Sequence, residues 1–262
     1  MVENSLKYEA ERAARLAPEA RRLAPGAGRL APGQRIYVVG DVHGHRDKLE
    51  AVHARVREDL RERPVADPLL VHLGDLIDRG PDTAGCLALL SGGPPVRGVP
   101  TVNLMGNHEW MMLHALNTGG FEEADRWLDN GGAETLRSWG LKSTSRPKEW
   151  LAAIPPRQLV LLRDLQLTHG EGGYLFVHAG VRPGVPLNEQ RETDLLWIRE
   201  SFLKWEGVML PEAPDRVVVH GHTPAPAPVL KHNRIGLDTG AGKGGPLTCA
   251  VLEGDEVRLF QT

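Results

Sequence analysis

Five short apolar runs that end in glycine, aspartate, asparagine or histidine constrain the fold of this chain more than any other feature. Each run is rich in valine, leucine or isoleucine, which is typical of a buried β-strand that leads into a loop. Helical patterns at residues 46–63 and 83–90 separate the first three runs, so the order β-α-β-α-β predicts a parallel sheet covered by helices. The runs begin at Arg35, Leu69, Thr101, Tyr174 and Arg216.

Polar residues directly follow these predicted strands. In sheets with parallel strands, ligands bind beyond the carboxyl ends of the strands, so we expect these polar side chains to lie close together. The residues are Asp41, His43, Asp75, Asp78, Asn107, His108, His178 and His222.

Three of these residues, Asp41, Asp75 and Asp78, are aspartates that would repel one another in a small volume. Divalent cations remove that repulsion. The available donors are oxygen and imidazole nitrogen without thiolate, which suits manganese, iron or zinc better than calcium. Two cations about 3.5–4 Å apart can bind both oxygens of a phosphate ester, and Asp75 is best placed to bridge them. These residues therefore predict a phosphoesterase with two metal ions.

The composition indicates an ordinary globular protein. The 262 residues, 41% hydrophobic and 25% charged, suffice for one large α/β domain. A net charge of −3 does not favour nucleic acid binding, and two cysteines provide neither a disulfide framework nor a cysteine-rich metal site. No apolar run approaches the roughly 20 residues of a membrane span. We therefore expect a monomeric, cytoplasmic protein that binds neither nucleic acid nor a membrane.

Residues 1–34 differ from the rest, because the tetrapeptide Arg-Leu-Ala-Pro recurs there at a spacing of seven residues. Repeated prolines break a long helix, so we expect a flexible leader, helical at most over about residues 5–17, before a catalytic domain at 35–262. Residues 110–163 have apolar residues at helical spacing and predict a helical cap that could also shape substrate entry. Its tryptophans are interpreted as core packing. They are Trp110, Trp127, Trp139 and Trp150.

The segments 40–44, 74–80 and 106–109, together with His178-Ala179-Gly180, match the signature motifs of the phosphoprotein phosphatases. The sequence resembles this family, which belongs to the calcineurin-like metallophosphoesterases, over about residues 35–250. Bacterial members and the bacteriophage lambda phosphatase are most similar in length. The resemblance implies an α/β fold in which two mixed β-sheets form a sandwich flanked by helices, in four layers ordered αββα.

The resemblance also implies roles for individual residues. His108 corresponds to the general acid that protonates the leaving oxygen, paired with Asp78, and a metal-bridging hydroxide attacks phosphorus directly. Arg79, Asn107 and Arg199 correspond to residues that bind the substrate phosphate. The expected cofactors are two divalent ions, manganese in the first instance, with iron or zinc as alternatives. The implied ligands are Asp41, His43 and Asp75 for the first metal, and Asp75, Asn107, His178 and His222 for the second.

The Asp78-Arg79 pair favours the phosphoprotein phosphatase branch, because many other members of the superfamily lack it. The leading hypothesis is a hydrolase of phosphoserine and phosphothreonine whose partner is a phosphorylated protein or peptide. The alternative is a hydrolase of dinucleoside polyphosphates similar to diadenosine tetraphosphatase, which the metal site does not distinguish. A catalytically inactive scaffold would show a damaged site, whereas every expected position is filled.

Several further polar residues are interpreted as structural or solvent-exposed. Glu109 is expected to support its loop, and Asp238 with the glycine-rich loop 239–245 could line the site. Lys243 could contact substrate or solvent. The histidines expected to be structural or solvated are His72, His169, His220 and His232.

Overall fold

The computed structural model describes residues 21–22, as backbone only, and residues 28–262. Its first sheet has six strands in the order β1-β11-β10-β2-β3-β4. Strands β2, β3 and β4 are parallel, while β10 runs antiparallel to β2, so the sheet is mixed. The strands are β1 Arg21–Arg22, β2 Gln34–Val39, β3 Asp67–His72, β4 Thr101–Asn103, β10 Thr248–Glu253 and β11 Glu256–Gln261.

The second sheet has five strands in the order β5-β6-β7-β9-β8. Strands β6, β7 and β9 are parallel, and the two outer strands are antiparallel to their neighbours. The strands are β5 Thr168–Glu171, β6 Tyr174–Val177, β7 Val217–His220, β8 Val229–Leu230 and β9 Arg234–Gly236.

Helices cover both sheets. Short 3-10 turns lie at Leu187–Glu189 and Ala241–Lys243, and a π-helical turn lies at Leu128–Gly132. The helices are α1 Arg46–Glu62, α2 Thr83–Ser91, α3 Asn107–Thr118, α4 Phe121–Trp127, α5 Ala133–Ser138, α6 Pro147–Ala153, α7 Pro156–Arg163, α8 Glu192–Trp197 and α9 Glu200–Leu203.

Alternating side chains of the strands divide the core into three layers, because successive residues of a strand point to opposite faces of the sheet. Ile36 and Val38 of β2 pack with Phe176 of β6 in the cluster between the two sheets. Tyr37 of β2 packs with the first helical layer, and Leu175 of β6 packs with the second. The predicted four-layer αββα sandwich is therefore confirmed.

The predicted helical cap consists of α3 to α7, inserted between β4 and β5. Trp127 and Trp150 are fully buried in it, with ring centroids 4.7 Å apart. The predicted core role of these two tryptophans is confirmed, although Trp127 has a second role described below. None of the helices in the described part of the chain has the length and apolar character to cross a membrane.

Packing of the sandwich extends to the amino-terminal side of residue 35. Leu30 is 2% exposed and its amide donates to the Gly254 carbonyl oxygen at 3.0 Å. The Tyr174 hydroxyl donates to the Gly28 carbonyl oxygen at 2.8 Å. The helix predicted at about residues 5–17, and most of the predicted leader, lie outside the described residues.

His53 of α1 and His72 of β3 form a buried pair beneath the first helical layer. His72 Nδ1 donates to Asn103 Oδ1 at 2.8 Å, so its Nε2 is free to accept from His53 Nε2 at 3.0 Å. A further proton on His72 would place two N–H groups opposite each other. Burial lowers the pKa of His53 to about 3 and of His72 to about 4. The structural role expected for His72 is consistent with this arrangement.

This pair predicts a loss of stability in mild acid. Below pH 6.5 the unfolded chain binds protons that the folded pair does not bind, so the free energy of unfolding falls as pH falls towards 4. Each imidazole contributes at most about 1.4 kcal/mol per pH unit. His53→Gln retains a donor to His72 but does not titrate, so urea unfolding at pH 7 and pH 5 should show a smaller pH dependence in this variant. An unchanged pH dependence would contradict the assignment.

Candidate active site

The residues predicted for the site lie in sharp turns that directly follow strands of both sheets. In the described chain, five non-glycine residues have a left-handed backbone, with φ between 47° and 72°. This conformation costs about 1 kcal/mol or more for an L-amino acid and concentrates at functional sites. All five were predicted for the site, and they are His43, Asp75, Asp78, Arg79 and His222.

Asp75 lies between two groups of imidazoles. Its Oδ2 is 3.4 Å from His43 Nε2 and 3.9 Å from His108 Nε2, and its Oδ1 is 3.4 Å from His178 Nε2. Asp75 forms a first group of three with His43 and His108, and a second group of three with His178 and His222. Within each group the possible ligand atoms lie within 4.8 Å of one another. Burial alone would raise the pKa of Asp75, but the surrounding imidazoles lower it below its usual range.

The second group has three close contacts between nitrogen and oxygen, but two neutral imidazoles bring only two protons to them. His178 Nδ1 lies 2.9 Å from the Leu73 carbonyl oxygen, and its Nε2 lies 3.0 Å from Asn107 Oδ1. A neutral imidazole carries only one N–H and cannot donate to both oxygens. His222 Nδ1 also lies 3.0 Å from Asn107 Oδ1. A divalent cation fits this group, because it would bind the lone pairs that converge there.

In the first group, the guanidinium of Arg79 spans two imidazoles. His43 Nδ1 donates to the Ile77 carbonyl oxygen at 3.0 Å, which leaves Nε2 unprotonated. Arg79 Nη1 lies 2.6 Å from that nitrogen, and Arg79 Nη2 lies 2.9 Å from His108 Nε2. The guanidinium therefore lies beside both the predicted metal ligand and the predicted acid.

The predicted acid is paired as expected. His108 Nδ1 donates to Asp78 Oδ2 at 2.7 Å, and the Asp78 side chain is completely buried. The same carboxylate accepts from Trp127 Nε1 at 2.8 Å and from Thr135 Oγ1 at 2.7 Å. Three donors from three separate elements therefore converge on Asp78.

The pKa values of the site histidines differ according to their surroundings. Burial lowers the pKa of His43 and of His222 to about 3, so both remain neutral near pH 7, as metal ligands must be. Burial also acts on His108, but the Asp75 and Asp78 carboxylates raise its pKa overall. His43 and His222 are therefore neutral imidazoles, whereas the surroundings of His108 favour its protonated form.

Asp41 lies beside both groups but belongs to neither. Its Oδ1 and Oδ2 accept from the His222 amide at 3.2 and 3.0 Å. Burial raises the pKa of Asp41 well above its usual range, and Asp238 and Asp75 add to the rise. These neighbouring carboxylates require positive charge, which divalent cations would supply. Its role as a metal ligand stays a prediction.

The glycine-rich loop packs against the site. A Cβ at Gly242 would lie 2.6 Å from the His43 ring, so only glycine permits this contact. Lys48 of α1 anchors the loop by donating to the Gly245 carbonyl oxygen at 2.7 Å. The lining predicted for Asp238 agrees with its effect on Asp41, whereas Lys243 is exposed.

Arg199 reaches the site from the second helical layer. Its Nε donates to His222 Nε2 at 3.1 Å, although the residue as a whole is exposed. His220, two residues earlier than His222, lies instead against Phe202 with ring centroids 4.9 Å apart and accepts from Arg234 Nη1 at 3.3 Å. The structure therefore places His222, and not His220, in the site.

Glu109 holds two of the turns together. Its Oε1 accepts from the amides of Leu76 and Ile77 at 2.7 and 3.1 Å. Its Oε2 accepts from the amides of Asp75 and Gly106 at 2.9 and 2.8 Å. The expected role in supporting its loop is extended by this geometry, because the contacts link the turns of β3 and β4.

Trp127 and Thr135 were not predicted for the site. The sequence analysis assigned Trp127 to core packing alone, because an indole in a helical pattern gives no indication of what its N–H contacts. Thr135 is 57 residues from Asp78, and no local motif connects them. Only the packing of the cap brings both residues to the carboxylate.

A four-layer sandwich with carboxylates and imidazoles at its strand ends is the arrangement expected of a metal-dependent phosphoesterase. A family model described as calcineurin-like phosphoesterase matches residues 34–256. The chain belongs to this family and is a hydrolase of the metallophosphoesterase type.

Individual relatives differ in how much of the chain they match. Serine/threonine-protein phosphatase 1 of Salmonella typhimurium is 34% identical over 225 residues, which cover 84% of this chain and 93% of the relative. A symmetrical bis(5'-nucleosyl)-tetraphosphatase of Methylococcus capsulatus is 32% identical over 148 residues, covering 56% and 44%. The resemblance to the phosphoprotein phosphatases is thereby confirmed.

A solved structure supports the fold. A cold-active protein tyrosine phosphatase superposes with a TM-score of 0.56 at 18% identity, covering 86% of this chain and 77% of that protein. At this identity the similarity shows the fold alone.

The four contacts of Glu109 predict that Glu109→Gln will lower both stability and activity. The new NH₂ group would oppose two backbone N–H groups, and leaving them unsatisfied costs about 1–3 kcal/mol each. Glu149→Gln is a matched control, because Glu149 also caps a helix, through the Arg146 amide at 2.8 Å on an exposed surface. Thermal unfolding should separate the two variants clearly, and equal melting temperatures would refute the role of Glu109.

Proposed function

We propose that this protein is a phosphomonoesterase that hydrolyses phosphoserine and phosphothreonine in proteins or peptides with two bound divalent ions. The proposed reaction class rests on one observation: Asp75 lies between two groups of imidazoles. Its Oδ2 and Oδ1 lie 3.4 Å from His43 Nε2 and from His178 Nε2, respectively. A carboxylate shared in this way suits a pair of neighbouring cations.

Manganese is the proposed metal, with iron or zinc as alternatives, because the donors are carboxylate, amide oxygen and imidazole. Bound ions supply Lewis-acid charge to the phosphate and make water a competent nucleophile near neutral pH. The proposed ligands are Asp41, His43 and Asp75 for one ion, and Asp75, Asn107, His178 and His222 for the other.

The remaining residues bind the phosphate and move a proton. Arg79 and Arg199 would donate to phosphate oxygens, a task suited to the planar guanidinium. Asn107 is proposed to assist them. His108 would donate its Nε2 proton to the leaving oxygen, with Nδ1 held by Asp78 at 2.7 Å. The raised pKa of His108 supports this role.

The choice of a phosphoprotein substrate is supported by the identity and the coverage of the relatives taken together. Serine/threonine-protein phosphatase 1 is 34% identical, and the match covers 93% of that relative. The match to the bis(5'-nucleosyl)-tetraphosphatase covers 44% of that relative. Hydrolysis of a dinucleoside polyphosphate is the second candidate, because that relative is nevertheless 32% identical over its matched part.

Asp75→Asn tests the reaction class. Loss of the shared charge should lower turnover of 4-nitrophenyl phosphate at least about 100-fold and reduce the bound metal, measured by mass spectrometry, below two ions per chain. Chelation should abolish activity of the wild type, and Mn²⁺ should restore it. Asp67→Asn, on the exposed start of the same strand, is the control. Wild-type activity and metal content in Asp75→Asn would overturn the assignment.

The substrate class is tested by a direct comparison of kcat/KM. Purified protein should hydrolyse phosphoserine and phosphothreonine peptides more efficiently than diadenosine tetraphosphate, with a phosphotyrosine peptide as a further comparison. A much higher efficiency on the dinucleotide would replace the first proposal with the second candidate.

A further inference from the structure

The helical cap supplies two hydrogen bonds to the proton-donating pair. Trp127, the last residue of α4, donates from Nε1 to Asp78 Oδ2 at 2.8 Å. Thr135 of α5 donates from Oγ1 to Asp78 Oδ1 at 2.7 Å, and it accepts from the Asp78 amide at 2.9 Å. Each carboxylate oxygen of Asp78 is therefore bound by the cap, while Oδ2 also accepts from His108.

The same segment fixes the backbone of the neighbouring residue. The Arg79 amide donates to the Gly131 carbonyl oxygen at 3.1 Å, within the π-helical turn of the cap. Gly131 has φ 108°, and a Cβ there would lie 2.8 Å from Arg79 Cγ. Asp78 and Arg79 both have left-handed φ values, so these contacts stabilise a turn that its own residues disfavour.

We propose that Trp127 and Thr135 are positioning residues, which orient the Asp78 carboxylate and thereby direct His108 Nε2 at the leaving oxygen of the substrate. This inference rests on the proposed function. As hydroxide forms a new bond to phosphorus, the bond between phosphorus and the leaving oxygen breaks, and its electron pair goes to that oxygen, which takes the Nε2 proton of His108. A buried carboxylate bound on both oxygens has a single orientation, whereas loss of one donor lets it rotate and lets the imidazole turn with it.

A positioning role has a signature that general loss of structure does not have. Nitrophenolate leaves readily without a proton, whereas phenolate and serine alkoxide need the acid. Weak positioning of His108 should therefore reduce kcat on phenyl phosphate more than on 4-nitrophenyl phosphate. The KM values for both substrates should change little, because the side-chain hydrogen bonds of Trp127 and Thr135 in the described part of the chain include none to the predicted phosphate-binding residues.

The test compares Trp127→Phe and Thr135→Val with the wild type on both aryl phosphates. Each variant removes one hydrogen-bond donor and keeps most of the side-chain volume. We expect kcat on phenyl phosphate to fall about tenfold or more, since a general acid contributes roughly 10²–10⁴ to the rate, and kcat on 4-nitrophenyl phosphate to fall less than about threefold. Equal losses on the two substrates would overturn the proposal.

The chain offers a matched control for each variant. Trp150 is as buried as Trp127 and packs against it at 4.7 Å, but its indole N–H has no hydrogen-bond partner in the described part of the chain. Trp150→Phe should therefore leave the ratio of the two rates unchanged. Thr135→Ser keeps the hydroxyl and should recover most of the rate that Thr135→Val loses. A ratio altered equally by Trp150→Phe and Trp127→Phe would refute a specific role for the Trp127 N–H.

His108→Asn separates failure of this inference from failure of the proposed function. If His108 is the acid, this variant loses far more activity on phenyl phosphate than on 4-nitrophenyl phosphate. Equal losses in His108→Asn would remove the acid assignment, and this inference with it. A selective loss in His108→Asn without one in Trp127→Phe and Thr135→Val would overturn the inference alone. Neither result depends on whether the physiological substrate is a phosphoprotein or a dinucleotide.

Discussion

The carboxylate of Glu109 accepts four backbone N–H groups, from Asp75, Leu76, Ile77 and Gly106, and the site geometry depends on these contacts. The strands β3 and β4 end beside each other, but a strand end alone does not determine where the following turn goes. Because each Glu109 oxygen binds two amides, the turn that contains Asp75 is held in a fixed position relative to the start of the helix that contains His108. The left-handed φ of Asp75 is maintained by this arrangement. Glutamine has the same size but only one acceptor oxygen, so it would accept from only two of these four N–H groups.

Charge is the second constraint on the site. Burial raises the pKa of Asp41 and of Asp238, and neighbouring carboxylates add to the rise, Asp238 and Asp75 at Asp41 and Asp75 at Asp238. Such a group is stable only with compensating positive charge, which the imidazoles supply in part and divalent ions would supply more fully. The different surroundings of the site histidines therefore give them different pKa values. His43 and His222 are buried and neutral, whereas His108 faces two carboxylates that raise its pKa.

Much of the fold followed from hydrophobic patterning and strand-end chemistry. The strands β2, β3, β6 and β7 and the helices α1 and α2 lie within a few residues of their predicted positions, because burial imposes a regular spacing on apolar residues. The division into two sheets did not follow from the patterning and was predicted from the family resemblance. The hydrogen bond between Thr135 and Asp78, which are 57 residues apart, could not be predicted. A single sequence contains no signal that shows which polar side chains of a cap contact the site.

The sequence by itself determined which residues can perform the chemistry, because carboxylates, imidazoles and guanidinium groups at strand ends are few and their types restrict the reaction. It also determined the order of strands and helices through the period of its apolar residues. Only the tertiary structure decided how those groups act together. It placed a different oxygen of Asp75 towards His43 and towards His178, selected His222 over His220, and brought Trp127 and Thr135 to Asp78. The physical reason is that hydrogen bonds and charge interactions act over a few ångströms in space, irrespective of separation along the chain.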